Sequence, residues 1–260
     1  MTYLDYRTLT WPEAGALAET GPVLGIVPLG ALEQHGPHLP LATDALIAEV
    51  LARRLADGIE ETAVVMPVPY GGLSDHHLGF PGTVSFPEAV FRGLVDAYVD
   101  ALVRLSIRDV FVFSAHGGNF GFLTRLGDAY RDRDDVRLVA YDDMPRYFGT
   151  TFEGAERAGF TPPETDWHAG GIETSQGLHA FPEHVRDFTG VTGYLAAEPG
   201  WLDRVLAEGI HAVSESGVLG SPRGASAQAG AAIFDALHEE LVGCVVRSFG
   251  CTRTGRGAIA

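Results

Sequence analysis

A chain of 260 residues that is 46% hydrophobic and 20% charged has ample apolar material for one α/β domain. Its 34 acidic residues against 18 basic ones give a formal charge of −16, the wrong sign for a nucleic-acid face, so no nucleic-acid partner is expected. Every base is arginine, and a chain without lysine excludes Schiff-base chemistry, lysine-anchored pyridoxal phosphate and a Walker-type phosphate loop.

No apolar run approaches the roughly eighteen residues that span a bilayer. The first twelve residues show no basic-then-apolar export pattern, so no membrane partner is expected. The two cysteines, Cys244 and Cys251, offer neither a disulfide framework nor a zinc spacing, which makes a reducing cytoplasm the expected location.

In chain order, residues 23–29 (VLGIVPL) read as a buried strand. The loop that follows, from Gly30 to Asp44, carries Glu33, His35, His38 and Asp44 among glycines and prolines. Such a segment is neither regular helix nor central strand, so those side chains belong to a loop held in one shape. Carboxylate with imidazole suits zinc, manganese or iron. Thr43 is the expected cap of a helix over 45–56, and residues 63–68 read as a second strand. A long loop through Asp75, His76 and His77 leads to a helix from Pro87 to about Leu105.

Residues 110–113 (VFVF) form a third strand that runs into His116-Gly117-Gly118-Asn119. A helix over about 120–131 and a fourth strand at 136–141, ending in Asp142 and Asp143, come next. Residues 150–222 read as long connections around one short helix at 173–178, and an alanine-rich helix closes the chain over 224–249. Strand and helix alternate, which implies an α/β fold with a mostly parallel sheet covered on both faces, and a single domain over 1–260.

Position carries more than composition here. Glu33, His35, Asp44, His76, His77, His116 and Asn119 all follow strands, and in a parallel sheet those loops gather at one edge, where such folds bind ligands. Read singly, His116 fits either a ligand or a core histidine at a tight turn. Glu173 after His168-Ala169-Gly170 fits either a ligand or a carboxylate favoured by a helix start. His76 and His77 fit a substrate contact or a packing role.

Four blocks together resemble the creatininase (creatinine amidohydrolase) family: residues 29–40 (LGALEQHGPHLP) with Thr43-Asp44, 80–85 (FPGTVS), His116-Gly117-Gly118-Asn119, and His168-Ala169-Gly170 with Glu173-Thr174-Ser175. The resemblance implies a three-layer α/β/α sandwich, usually a hexamer, with two divalent ions (Zn, Mn or Fe) that hydrolyse a C–N bond of a cyclic or related small amide. It implies Glu33, Asp44 and His116 on one metal, His35 and Asp44 on the other with Asp44 bridging, and His168 as proton donor. A family glutamate that completes the second site is Gly118 here, and Glu173 is the candidate replacement, so Glu173 is both a metal and a catalytic candidate. Gln34, His38 and Asn119 are expected to pin the loops. Within the same family the shared motifs fit deformylation and the clipping of a cofactor-precursor peptide equally, and an inactive metal-stabilised binding protein is the alternative outside catalysis.

Overall fold

The computed structural model describes residues 3–255 apart from Thr20 and Pro22. At its centre lies strand β2 (Val23–Leu29), buried at every position because strands flank it on both edges and helices cover both faces. Five parallel strands stand in the order β1-β3-β2-β4-β5, with β1 at Tyr3–Asp5, β3 at Thr62–Val65, β4 at Asp109–Ser114 and β5 at Arg137–Ala140. The edge strand β1, paired on β3 from Tyr3↔Ala63 to Asp5↔Val65, was not expected from its mixed sequence YLD.

Strand β3 stops at Val65, short of the expected Val68, and the reason is proline. Ile26 O accepts from Met66 N at 2.9 Å, so the next rung toward β3 belongs to Pro28, which has no N–H to donate. On its other edge β2 pairs with β4 up to Leu29↔Ser114. The loops after β2 and β4 therefore leave the sheet side by side.

Right-handed crossovers place the helices. Helix α2 (Thr43–Asp57) connects β2 to β3 on one face, while α3 (Glu88–Arg104) and α4 (Phe120–Tyr130) connect the strands on the other. The strand order reverses between β2 and β4, and the crevice there is where open α/β sheets bind ligands. Helices α5 (Met144–Arg157), α6 (Gly171–Ala180) and α8 (Ala227–Phe249) pack together beside α2, giving the three-layer α/β/α arrangement. Helix α8 starts on Ser226, whose side chain accepts from Ala229 N, and ends at Gly250 with φ +76°. It crosses α6 so closely that a Cβ on Gly230 would lie 2.0 Å from Ser175 O.

Two sequence expectations are corrected. Thr43 is the first residue of α2 rather than its cap; Ala42 holds the cap position and the Thr43 hydroxyl donates to Pro40 O at 2.7 Å. The stretch from 144 to 222 is also more regular than expected, with α5, α6 and α7 (Trp201–Glu208) in place of one short helix. Short α1 (Trp11–Ala16) was likewise missed. No helix among the described residues is long and apolar enough to cross a membrane.

Candidate metal centre

The strand-end loops bring four expected residues into one buried cluster. Glu33 and His35 come from the loop after β2, Asp44 from the first turn of α2, and His116 from the loop after β4; none is more than 3% exposed. His35 Nε2 lies 3.1 Å from Asp44 Oδ1, and His116 Nδ1 lies 3.0 Å from Asp44 Oδ2 and 3.3 Å from Glu33 Oε1. Asp44 thus stands between two imidazoles, one on each oxygen.

Asn119 ties the loops together. Its Nδ2 donates to Gly30 O and to Ser114 Oγ, and its Oδ1 accepts from Leu73 N, all at 3.1 Å. The loops after β2, β3 and β4 are therefore joined through one buried side chain, as its sequence position suggested. His38 has a similar supporting place, with Nε2 2.8 Å from Thr174 Oγ1 on α6.

The donor set fits divalent cations. Both oxygens of Glu33 and Asp44 Oδ2 are buried without a hydrogen bond from the protein, although imidazole nitrogens stand 3.0–3.3 Å away. A buried carboxylate left so is costly unless something else satisfies it. Metal–ligand bonds of about 2.0–2.3 Å set neighbouring donor atoms about 3 Å apart, which is the spacing found. Hydrogen bonding also turns the correct nitrogens inward: His35 Nδ1 faces Glu33 O at 3.1 Å, and His116 Nε2 faces Leu73 O at 3.1 Å, so each ring donates outward and points its other nitrogen at the cluster.

Electrostatics gives the same answer. Burial alone would lower the pKa of His35 and His116, but the surrounding carboxylates outweigh it, raising His35 to about 10 and His116 well above its ordinary value. Burial works against ionised Asp44, yet the two imidazoles hold its pKa low. Protons gather on these rings because the carboxylates demand positive charge, and a bound cation would meet the same demand.

The loop before α6 and the first turn of that helix bring in the remaining pair, His168 and Glu173. Glu173 Oε2 lies 3.7 Å from His35 Nε2 and accepts from Ala169 N, a residue held at φ +52°. His168 Nε2 faces Gln34 O at 2.7 Å, which leaves Nδ1 bare toward Glu33 Oε1 at 3.8 Å and Glu173 Oε2 at 3.9 Å. Burial raises the pKa of Glu173 and keeps His168 neutral by lowering its own. Three donor groups within metal-binding reach result: Glu33, His35 and Asp44; His35, His168 and Glu173; and Glu33, His77 and His168.

No side chain fits at position 118. A Cβ there would lie 2.3 Å from Leu73 O and 2.4 Å from His116 Nε2, so the chain is shaped around bare glycine.

Some residues were undervalued and others do not join. His77 is buried with Nε2 3.0 Å from Glu33 Oε1, and His76 stacks on His116 at the cavity edge. Asp166 accepts from Gly171 N at 2.8 Å and Ile172 N at 3.1 Å, fixing the start of α6; a carboxylate just before glycines and a helix was the available signal. Asp75 instead accepts from Ser85 Oγ, and Asp143 caps α5 through Arg146 N. Asp142 is exposed and lines no part of the cleft.

The cluster opens into a cavity of about 120 Å³. Its far wall is apolar: Met144 and Phe148 of α5, Trp167, and Leu202, Val205 and Leu206 of α7. Trp167 stacks on Phe148 at 4.7 Å, and Leu206, 67% exposed, stands at the mouth.

Comparison with known proteins meets this geometry. Residues 7–245 match the family model for Creatininase, creatinine amidohydrolase. The chain belongs to the creatininase family. Among creatininase-family relatives, the mycofactocin precursor peptide peptidase of Mycolicibacterium smegmatis is 37% identical over 229 residues, covering 85% of this chain and 83% of that protein. The creatinine amidohydrolase of Pseudomonas putida is 30% identical over 190 residues, 68% of this chain and 72% of that one. A solved tryptophan-to-phenylalanine mutant creatininase superposes with a TM-score of 0.73 at 25% identity, covering 94% of this chain and 98% of its own. The chain is thus a hydrolase of the creatininase family with its polar cluster at the family fold's strand edge.

Proposed function

We propose that this chain is a two-metal hydrolase that cleaves an amide C–N bond, and that the amide lies in a peptide of the mycofactocin-precursor type. The observation that carries the metal reading is the set of three buried carboxylate oxygens, both of Glu33 and Oδ2 of Asp44, that accept no hydrogen bond from the protein, with imidazole nitrogens 3.0–3.3 Å from Glu33 Oε1 and Asp44 Oδ2. The peptide reading is supported by the 37% identical relative named for that substrate. An open, apolar-walled cleft accords with it.

Glu33, Asp44 and His116 would hold one ion; His35, Asp44 and Glu173 would hold the other. Glu173 takes the place that Gly118 cannot supply. Two divalent cations held there would supply Lewis acidity, lowering the pKa of a water and polarising a carbonyl. Zinc and manganese are the first candidates, since solved creatininases include a manganese form and a Zn–Zn form. His168, neutral and with Nδ1 bare toward the cluster, takes a proton and returns it to the departing nitrogen. Glu173, whose Oε2 lies 3.9 Å from His168 Nδ1, steadies the imidazolium while the proton is held.

The same proposal includes one catalytic unit over the whole chain, a cytoplasmic setting and a homohexamer. Exposed Trp11, Tyr70, Leu78 and Val90 supply apolar surface for assembly.

The test is to incubate zinc- or manganese-loaded protein with the precursor peptide, with creatinine and with small formamides. Metal-dependent peptide cleavage is expected. Turnover of creatinine or formamide alone would replace the peptide reading with a small-amide one. An inert protein that still binds metal would favour a binding role, against which the retained His168 and Glu173 stand.

A further inference from the structure

The donor group formed by Glu33, His77 and His168 is the one that the two-ion reading leaves unused. Whether His77 can be a ligand depends on which ring nitrogen carries its hydrogen, and the neighbouring Gln34 determines that. The Gln34 amide has one orientation: Gly36 N donates to Oε1 at 2.9 Å, and Nε2 donates to Gly217 O at 3.1 Å. One hydrogen remains on Nε2. Two rings compete for it, His77 through Nδ1 at 3.1 Å and His168 through Nε2 at 3.0 Å.

His168 cannot accept it. Its Nε2 also faces Gln34 O at 2.7 Å, a carbonyl that only accepts, so this nitrogen already carries hydrogen. The remaining Gln34 hydrogen goes to His77 Nδ1, which is bare. With Nδ1 accepting, the hydrogen of His77 sits on Nε2, and His168 Nδ1 has its carboxylate neighbours at 3.8 and 3.9 Å, beyond hydrogen-bond reach, so it is left bare.

We propose that Gln34 is a positioning residue that makes His77 turn an N–H, and His168 a bare nitrogen, toward the cleft. His77 Nε2 lies 3.0 Å from Glu33 Oε1 and shows that carboxylate a hydrogen rather than a lone pair, off the axis of a full hydrogen bond. His77 is therefore withheld from metal. The two rings, with centroids 4.5 Å apart, present one donor and one acceptor. An amide in the cleft has the complementary needs, an oxygen that accepts and a nitrogen that must be served with a proton.

The consequence for catalysis rests on the hydrolase reading, but the hydrogen pattern can be read without substrate or metal. Long-range ¹H–¹⁵N correlation on the metal-free full chain, with ¹⁵N-labelled histidine, should show both His77 and His168 protonated on Nε2. In Gln34→Glu the carboxylate can only accept, so His77 should move its hydrogen to Nδ1 and join the zinc ligands on titration. In Gln34→Met His77 should become a mixture of tautomers. In both, kcat on the cleaved peptide should fall about 10- to 100-fold with KM changed less than about twofold. His77 found protonated on Nδ1 in the unaltered protein, or unmoved in Gln34→Glu, would overturn the proposal. Should the variants not fold, the unaltered protein's spectrum still decides. The assigned pattern in a protein that takes up no metal and cleaves nothing would support Gln34's role while the hydrolase reading fails.

Discussion

The floor of the cleft and its wall are built by opposite means. The floor is Glu33, His35, Asp44 and His116, each within six residues of a strand end or on the first helical turn that follows one, and pinned by Asn119. The wall is Met144, Phe148, Trp167, Leu202 and Leu206, delivered by two helices and a loop spread over residues 144–206. The floor is polar, buried and cross-linked by hydrogen bonds. The wall is apolar, with Leu206 exposed at its rim. Such a division assigns chemistry to the strand ends and choice of substrate to the later helices, and each assignment can be broken separately.

The floor should give the largest effects. Glu33→Ala or His116→Ala should lose bound metal and bring turnover to background, measured by elemental analysis and peptide cleavage on the same samples; a fully active Glu33→Ala protein would sink the metal reading. His168→Ala should divide the two properties, keeping metal while the rate falls about 10²- to 10⁴-fold, because it removes the proton carrier and leaves the ligands in place.

The floor should also answer to pH. His35, raised to about 10, and His116, raised as well, hold protons that a cation must displace. Zinc affinity, read by competition with a chromophoric chelator, should therefore rise with pH, by about tenfold per unit for each displaced proton, between about pH 6 and pH 9. A flat profile would mean that those rings are not ligands. The wall should give the smallest change: Leu206→Ala removes an exposed side chain, so folding and metal content should stay as they are. KM for the peptide should rise about three- to tenfold with kcat nearly unchanged. A loss of kcat instead would give the wall a part in the chemistry.

The same contrast accounts for what the sequence discloses. Residues 23–29 and 110–113 announce themselves as apolar runs, and a ligand two to six residues past a strand end lies at the sheet's edge by topology alone. The floor was legible for that reason. His77 was ambiguous because its place depends on Gln34, which is distant in sequence and has no periodic signal. Helix α5 was overlooked despite Asp143 ahead of Met144-Pro145, a start signal masked by reading Asp142 and Asp143 as part of the rim. The eight-residue α7 has one buried residue, Val205, so its packing against the cleft comes from tertiary contact rather than from local pattern. The stacking of Trp167 on Phe148 could not be read from spacing.

Metal content per chain, on protein purified without chelator and then titrated with zinc, tests the central claim most directly. The account predicts about two equivalents, falling to about one in Glu173→Gln, since Glu173 stands in for the side chain that Gly118 lacks. One equivalent in the unaltered protein, unchanged in Glu173→Gln, would contradict the two-metal site, and no metal at all would leave the cluster without the cations its carboxylates are arranged to hold.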